Sequence, residues 1–334
     1  MSRYAEAHAN AQGAGDARPT ALQIVKDEEM DGKLTGKVAV ITGVSSGIGI
    51  ETARAIAATG ARLFLTARNL DKAKKALEEF FDPTQMELVE MDQLSFDSVR
   101  AAAKTILSKT DQITLLVNNA AIMAVQDLQL TELGHEVQFA TNHLSHFLFF
   151  NLLKPALLAG SSPKFQSRVV VVSSAGHRVQ PLNSPDNYHF QKGNYTAWGS
   201  YSQSKVAGIH MANEIERRYG SSGLHALSLN PGIIATNLGY YLPEEEIQAM
   251  LSNPFILKVQ KSIEQGASTT LWAAVSRELE GEGGLYLDNC SIAERAEDGD
   301  TLTPGKYASY AFNSEADAQL WKDSLNMVSL PSEK

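Results

Sequence analysis

Val38-Ala39-Val40-Ile41-Thr42-Gly43-Val44-Ser45-Ser46-Gly47-Ile48-Gly49 joins a short apolar run to a glycine- and serine-rich turn, and the turn opens a helical pattern that continues to Thr59. Four apolar residues without alternation suit a central parallel strand buried on both faces. The glycines permit a tight turn and let backbone N–H groups approach a pyrophosphate. The helix N-terminus behind them adds unpaired donors and a favourable dipole. The spacing is G-x-x-x-G-x-G, not G-x-G-x-x-G, and a glycine-rich turn by itself also reads as a flexible connection. Its place between a first strand and a first helix points to a dinucleotide cradle made of Gly43, Ser45, Ser46, Gly47, Ile48 and Gly49.

Outward from this unit, strand and helix patterns alternate. Residues 61–66, 86–91 and 113–117 read as strands, with helices over 69–81 and 95–108. The second half continues with a long helix over 133–158, a strand over 168–173, a helix over 199–219, a strand over 224–229, a helix over 262–276 and a short strand over 284–287. Such alternation implies right-handed crossovers and a doubly wound Rossmann-type α/β fold, with a mainly parallel seven-stranded sheet and helices on both faces. No Pro/Gly-rich boundary divides the series, so residues 37–290 read as a single domain. Residues 1–36, rich in Ala, Gly and charge, read as a mobile N-terminal extension, and 291–334 as a C-terminal extension.

With 43% hydrophobic residues the chain can fill a core of this size, and its net charge of −9 argues against nucleic acid or an anionic membrane as partner. No uninterrupted run of about 18 apolar residues occurs, so no membrane span is expected. The first residues lack a basic segment followed by an apolar one, so no secretory signal is read. One cysteine, Cys290, precludes an internal disulfide and fits a reducing compartment, hence a cytoplasmic expectation.

Two further places carry chemistry. The second strand ends in Thr66-Ala67-Arg68-Asn69, with no acid to hold a ribose 2′-hydroxyl. The planar fork of Arg68 can pair with a 2′-phosphate, which favours NADP(H), although a plain solvated arginine is the alternative. Tyr201 and Lys205 stand at i and i+4 and share one helix face. A tyrosine with its ordinary pKa near ~10 is a poor acid or base at neutral pH, and a nearby ammonium favours the phenolate. This pair alone also reads as an ordinary surface pair.

With Tyr201-Ser202-Gln203-Ser204-Lys205 in view, residues 36–290 resemble the short-chain dehydrogenase/reductase family. Thr42–Gly49 is similar to that family's cofactor turn, and Asp92 follows the third strand where the family contacts adenine. Asn118-Asn119-Ala120-Ala121 stands where Asn-Asn-Ala-Gly is usual. Asn142 falls at the family's structural and proton-relay asparagine, Ser174 at its catalytic serine, and Pro231-Gly232, Ile234 and Thr236 in the loop that closes on nicotinamide. Ala121 departs from the usual glycine. The segment between Ser174 and Tyr201 is about twice the usual length and carries Tyr188, His189, Phe190, Tyr195 and Trp198. In this it resembles the branch of retinol dehydrogenases and WW-domain-containing oxidoreductases, without a WW domain. The extended tail resembles fungal members, many of which act in specialised metabolism.

The resemblance implies catalytic roles for Asn142, Ser174, Tyr201 and Lys205, and cofactor contacts that include Asn119, Ala120, Tyr201 and Lys205. Tyr201 would deliver a proton to a carbonyl oxygen, Ser174 would orient that oxygen, Lys205 would hold the nicotinamide ribose, and Asn142 would anchor a relay water. Residues 237–261, with Leu238, Tyr240, Tyr241, Met250, Leu251 and Phe255, read as a lid over an apolar substrate or as a helix packed on the domain. Glu244-Glu245-Glu246 reads as the exposed start of a helix after Pro243. His143 and His146 read as packing or hydrogen-bonding groups rather than metal ligands, His177 as a loop residue or a border of the substrate, and Cys290 as a buried thiol. The expectation is reversible carbonyl/alcohol interconversion on a lipophilic small molecule. Retinoid- or steroid-like alcohol oxidation is the enzymatic alternative, and a non-catalytic nucleotide-binding module the other. A homodimer through the long helix and the Tyr201 helix is the expected assembly.

Overall fold

The computed structural model describes residues 2–331 except 298, 301 and 302, so the end of the expected C-terminal extension, 332–334, lies outside the described residues. The apolar runs become β1 (Val38–Thr42), β2 (Arg62–Ala67), β3 (Met86–Glu90), β4 (Leu115–Asn118), β5 (Ser167–Val172), β6 (Leu224–Asn230) and β7 (Leu285–Asp288). They form one parallel sheet in the order β3-β2-β1-β4-β5-β6-β7. Strands β4, β5 and β6 are buried throughout, which is why they read as continuous apolar runs. An eighth strand, β8 (Ser291–Ile292), pairs antiparallel with β7 and corrects the expected count of seven. It is two residues long, too short for any periodicity. Asn289 and Cys290 turn the chain into it with φ of 54° and 52°. The strand order reverses direction between β1 and β4, and a doubly wound sheet opens its ligand crevice at the carboxyl ends of those strands.

The first 36 residues depart from expectation. Among the described residues they form α1 (Ala5–Ala9) and α2 (Ala21–Asp27) and lie packed on the domain. Thr20 caps α2 by accepting from the Gln23 N–H, and Ala21, Ile24 and Val25 are buried. One short apolar face is enough to dock this segment, although its composition resembles a linker.

The helices that follow are α3 (Ile48–Ala58), α4 (Leu70–Leu77) and α5 (Phe96–Leu107), with Asn69 and Ser95 as side-chain caps of the last two. The long helix expected from residue 133 begins only at 137. Its parts are α6 (Val137–Phe139), a π segment (Ala140–Leu144) and α7 (Ser145–Gly160). Before it, Leu130 bridges to Glu136, and the Glu136 carboxylate caps the start by accepting from the Gln138 and Phe139 N–H groups at 3.1 and 2.7 Å. Then come α8 (Ala197–Tyr219), α9 (Glu244–Ser252) and α10 (Pro254–Val259). The helix expected over 262–276 is divided into α11 (Ile263–Gly266), opened by a Ser262/Gln265 capping box, and α12 (Ser268–Val275). A last helix is α13 (Ser314–Met327).

Helices α2, α3 and α12 cover one face of the sheet around Ile24, Ile56, Leu271 and Trp272. Helices α5, α7, α8 and α13 cover the other around Phe147, Phe150, Leu153 and Trp321. α7 is apolar nearly all round because it is enclosed by the sheet, α5 and α13. The homodimer expected on the long helix and α8 finds those faces covered. Trp321 of α13 meets Phe147 edge-on at 4.8 Å, Asp317 hydrogen-bonds His210, and residues 199–215 of α8 are buried without interruption. The C-terminal extension thus lies over parts of both helices.

Candidate active site

The cradle turn connects β1 to α3 at the reversal of strand order. Gly43 has φ +77°, and a Cβ there would fall 2.6 Å from the Ala120 Cβ, so this position requires glycine twice over. Gly49 opens α3 in close approach to the turn itself: its Cβ would lie 2.2 Å from the Gly43 carbonyl oxygen. Asn119 closes the other side, donating from Nδ2 to the Thr42 and Gly43 carbonyls at 2.9 and 3.1 Å. The Thr42 hydroxyl accepts the N–H groups of Asn119 and Ala120 at 2.9 and 3.0 Å and lies 2.9 Å from His146 Nε2.

His146 Nδ1 donates to the Asn142 carbonyl at 3.0 Å, which leaves Nε2 to accept from Thr42 and from Gln93 Nε2, the latter at 2.9 Å. Burial pushes this imidazole down to about 4, so it stays neutral in that pattern. His146 therefore ties α7 to the cradle, as a hydrogen-bonding group. Thr42 was read only as the first residue of the cofactor turn, and Gln93 was not singled out; its one signal was adjacency to Asp92. His143 shares a hydrogen bond with Ser324 Oγ of α13 at 2.8 Å, and the described residues contain no cluster of metal-ligating side chains.

Arg68 and Asp92 lie at the ends of β2 and β3. Arg68 is exposed and has no protein partner among the described residues. Asp92 accepts from the Leu94 N–H at 3.0 Å, and its own N–H donates to Ser98 Oγ at 2.9 Å, so part of its role is to shape the turn into α5.

Asn142, Ser174, Tyr201 and Lys205 come from three elements. Asn142 sits in the π segment, and π turns recur at functional sites. Its amide donates to the Ile122 carbonyl and to Ser204 Oγ, both at 2.9 Å, and accepts from the Ile122 N–H at 2.9 Å. Ser204 Oγ in turn donates to the Tyr201 carbonyl at 2.7 Å, so Asn142 braces the turn of α8 that carries Tyr201. The two serines after β5 divide their work. Ser173 is buried and donates to the Lys205 carbonyl at 2.9 Å, whereas Ser174 Oγ accepts from the Gly176 N–H at 3.0 Å and lies beside the Tyr201 phenol. A Cβ on Gly176 would stand 3.1 Å from Tyr201 Cε1, so the approach of the serine turn to the ring depends on that glycine.

Lys205 Nζ donates to the Val172 carbonyl at 2.9 Å and lies 5.6 Å from the centre of the Tyr201 ring. Burial pushes the Tyr201 phenol up to about 12, with the Ser174 side chain pulling the other way, and pushes Lys205 down to about 7. Desolvation dominates both shifts, so the phenol carries its proton at neutral pH. His177 lies directly under the serine turn. It donates from Nδ1 to the Ser174 carbonyl at 2.7 Å and accepts at Nε2 from the Ala308 N–H at 3.1 Å. It is a buried strut to the C-terminal segment, not a border of the cleft.

Most of the aromatic stretch before Tyr201 is also structural. The Tyr188 hydroxyl donates to Asp323 at 3.0 Å and the Tyr195 hydroxyl to the Val125 carbonyl at 2.6 Å. Trp198 is different: its ring meets Tyr201 at 5.9 Å and 83°, and its indole N–H donates to Glu246 of α9 at 3.0 Å. It thus links the Tyr201 wall to the 237–259 segment. That segment has no buried residue in its 3-10 turn (Asn237–Tyr241), in α9 or in α10, which argues against helices packed on the domain. Pro231, Gly232, Ile234 and Thr236 lead into it. Thr236 caps the turn by accepting from Leu238 N–H, and a Cβ on Gly47 would lie 3.3 Å from Thr236 Cγ2, which places this loop against the cradle.

A nucleotide cradle at the strand reversal, with serine, tyrosine and lysine converging beside it, defines an oxidoreductase site on a doubly wound sheet. The short chain dehydrogenase family pattern matches residues 37–247, and the chain belongs to the short-chain dehydrogenase/reductase family. It is 48% identical to the short-chain dehydrogenase/reductase prx1 of Penicillium roqueforti over 98% of this chain and 95% of that one. It is 36% identical to the WW domain-containing oxidoreductase of Gallus gallus over 82% of this chain and 66% of that protein. Among solved structures, an uncharacterized protein from Mycobacterium paratuberculosis is similar with a TM-score of 0.67 and 29% identity, covering 89% of this chain and 95% of the other. No helix among the described residues is long and apolar enough to cross a membrane.

Proposed function

We propose that the protein is an NADPH-dependent oxidoreductase that interconverts a ketone or aldehyde and an alcohol on a lipophilic small molecule, possessing Tyr201 as its general acid/base. The observation that carries this reading is the buried Tyr201 phenol, placed between the Ser174 turn and Lys205 Nζ and held by Asn142 through Ser204. The residues present fit a dinucleotide. Gly43 and Gly49 leave backbone where a side chain would intrude, and Arg68 offers an exposed, unpartnered fork for a 2′-phosphate.

When bound, the nicotinamide supplies or accepts the hydride. Tyr201 holds the proton that the carbonyl oxygen needs and takes it back in the reverse direction. Ser174 orients that oxygen, with its hydroxyl set by the Gly176 N–H. Lys205 carries the proton supply behind the phenol, and its lowered pKa puts that exchange near neutrality. The lipophilic class is read from the exposed apolar side chains Tyr240 and Leu251 of the 237–259 segment, which Trp198 ties to the Tyr201 wall. The likeness of the extended tail to fungal members, with a Penicillium relative at 48% identity, is the ground for placing the reaction in specialised metabolism.

The test is a panel of aldehydes and ketones with NADPH and NADH, followed at the nicotinamide absorbance. Tyr201→Phe should lower kcat by about 10²–10⁴-fold with NADPH affinity unchanged. Full turnover in that variant removes the assigned acid. Arg68→Asp should move the preference from NADPH to NADH by about tenfold or more, the loss of one charged contact of about 1.5–3 kcal/mol. An unchanged ratio of the two cofactors would sink the NADPH assignment.

A further inference from the structure

The family pattern begins at residue 37, yet residues 13–18 reach the far side of the site. Arg18 is 4% exposed. Its guanidinium pairs with Asp16 at 2.8 Å and donates to the Gly13 carbonyl at 3.0 Å. It also donates to the carbonyls of Val259 and Gln260 at 2.7 and 2.6 Å, where α10 ends. Gln265 closes the same knot, donating to the Asp16 and Arg18 carbonyls at 3.0 Å and accepting from the Gly15 N–H at 2.9 Å.

The next residue, Lys261, is 2% exposed and grips the Pro231–Thr236 loop at two points. Its N–H donates to the Ile233 carbonyl at 2.8 Å and its Nζ to the Pro231 carbonyl at 3.0 Å. Gly232, between those carbonyls, has φ +104°, and a Cβ there would lie 3.0 Å from the Lys261 chain. The loop is thereby pressed against the cradle, with Ile234 and Ile48 meeting over Gly266. Buried charges held by hydrogen bonds rarely add net stability over an apolar packing, so their retention here fits the fixing of one geometry. The arm is separated from its partners by some 240 residues of chain, so this connection has no local sequence signal.

We infer that Arg18 and Lys261 are positioning residues for the nicotinamide half of the cofactor site: together they fix the Pro231–Thr236 loop and the hinge of the 237–259 cover. This rests on the function proposed above. The test uses the full chain and the variants Arg18→Met, Arg18→Lys and Lys261→Met. Affinities are titrated by fluorescence for NADPH and for 2′-phospho-ADP-ribose, which lacks nicotinamide, and amide exchange is followed over residues 231–262 without ligand. The expected result is NADPH affinity about tenfold weaker in Arg18→Met, unchanged affinity for the fragment, and faster exchange in 231–262. Arg18→Lys keeps the charge without the fork, should show the same pattern more weakly, and serves if Arg18→Met does not fold. Equal weakening of both ligands, or unchanged exchange and NADPH affinity, overturns the inference. Wild-type protein that binds neither NADPH nor NADH overturns the proposed function instead, and the exchange data then judge the loop contact separately.

Discussion

The floor and the roof of the site are built by opposite rules. On the floor, Asn142 is committed to Ile122, Ser173 to the Lys205 carbonyl and Lys205 to the Val172 carbonyl, inside helices buried on every side. In the roof, residues 237–259 form three short helical pieces with no buried side chain. Tyr240 is 81% exposed and Phe255 51%. Side-chain ties to it are Trp198 to Glu246 in α9 and Arg18 to Val259 and Gln260 where α10 ends. Proton transfer needs fixed geometry, and fixed geometry comes from packing and from satisfied polar groups. A cover that must admit substrate is drawn from the weakly packed end of the molecule. On the proposed function, the difference assigns the reaction to the floor and the choice of substrate to the roof.

Substitution at matching places would break or sharpen that contrast. The largest effect on stability should come from Trp321→Ala, which empties the contact of α13 with Phe147 and Phe150 beneath the floor. A loss of about 3–5 kcal/mol in urea unfolding is expected for such a buried aromatic. Phe255→Ala in the roof should change unfolding by no more than about 0.5 kcal/mol. Equal losses at the two positions would abolish the distinction.

Acid should act next, through rings buried on the floor and also through His8 and His189, which burial holds down to about 3 and about 4. Burial pushes His143 down to about 3 and His146 and His177 down to about 4, against an ordinary 6.5. Above 6.5 both folded and unfolded chains leave these rings neutral, and stability is unaffected by them. As pH falls from 6.5 towards 4, the unfolded chain takes up protons that the folded one refuses, so stability is lost. The slope is about 1.4 kcal/mol per pH unit for each ring. Urea unfolding at pH 7 and pH 5.5 measures it, and a flat profile contradicts the neutral hydrogen-bond pattern given to His146 and His177. The smallest effect belongs to Trp198→Phe, which keeps the ring against Tyr201 and removes the N–H to Glu246. Losing about 1 kcal/mol of latch should raise KM for bulky carbonyls about fivefold while leaving the melting temperature alone. An equal rise for the smallest substrates would place Trp198 elsewhere in the reaction.

Local order was legible and long-range order was not. β1, the cradle turn and α3 follow from twelve consecutive residues because strand, turn and helix N-terminus each have a period or a steric demand of their own. The helix carrying Tyr201 and Lys205 was equally plain. The length of the preceding helix was not. Leu133 suggests an earlier start, but Gly134 turns the chain with φ 79° and the Glu136 carboxylate caps the helix at 137. β8 is too short to have a pattern, and α2 docks through about one turn of apolar residues within a polar stretch. His177 and Arg18 are defined by partners far along the chain, Ala308 and Val259, which no window of sequence contains. The cover of α8 by α13 is the same kind of fact: α13 lies in a stretch read only as a C-terminal extension, and its meeting with α8 is written in neither segment.

The π segment at Ala140–Leu144 sets the angular phase of one helix against two clients. Within its wide turn, the helix is aligned for Asn142 to meet Ile122; downstream, it is aligned for Phe147 and Phe150 to enter the core. A π turn is an α-helix with one residue too many, and one residue is about 100° of rotation. Deleting a single residue there would restore regular hydrogen bonding and swing Asn142 away from Ile122, or else roll the phenylalanines out of the core. The helix can change its side chains one at a time, but it cannot change its length there without choosing between its core and its asparagine.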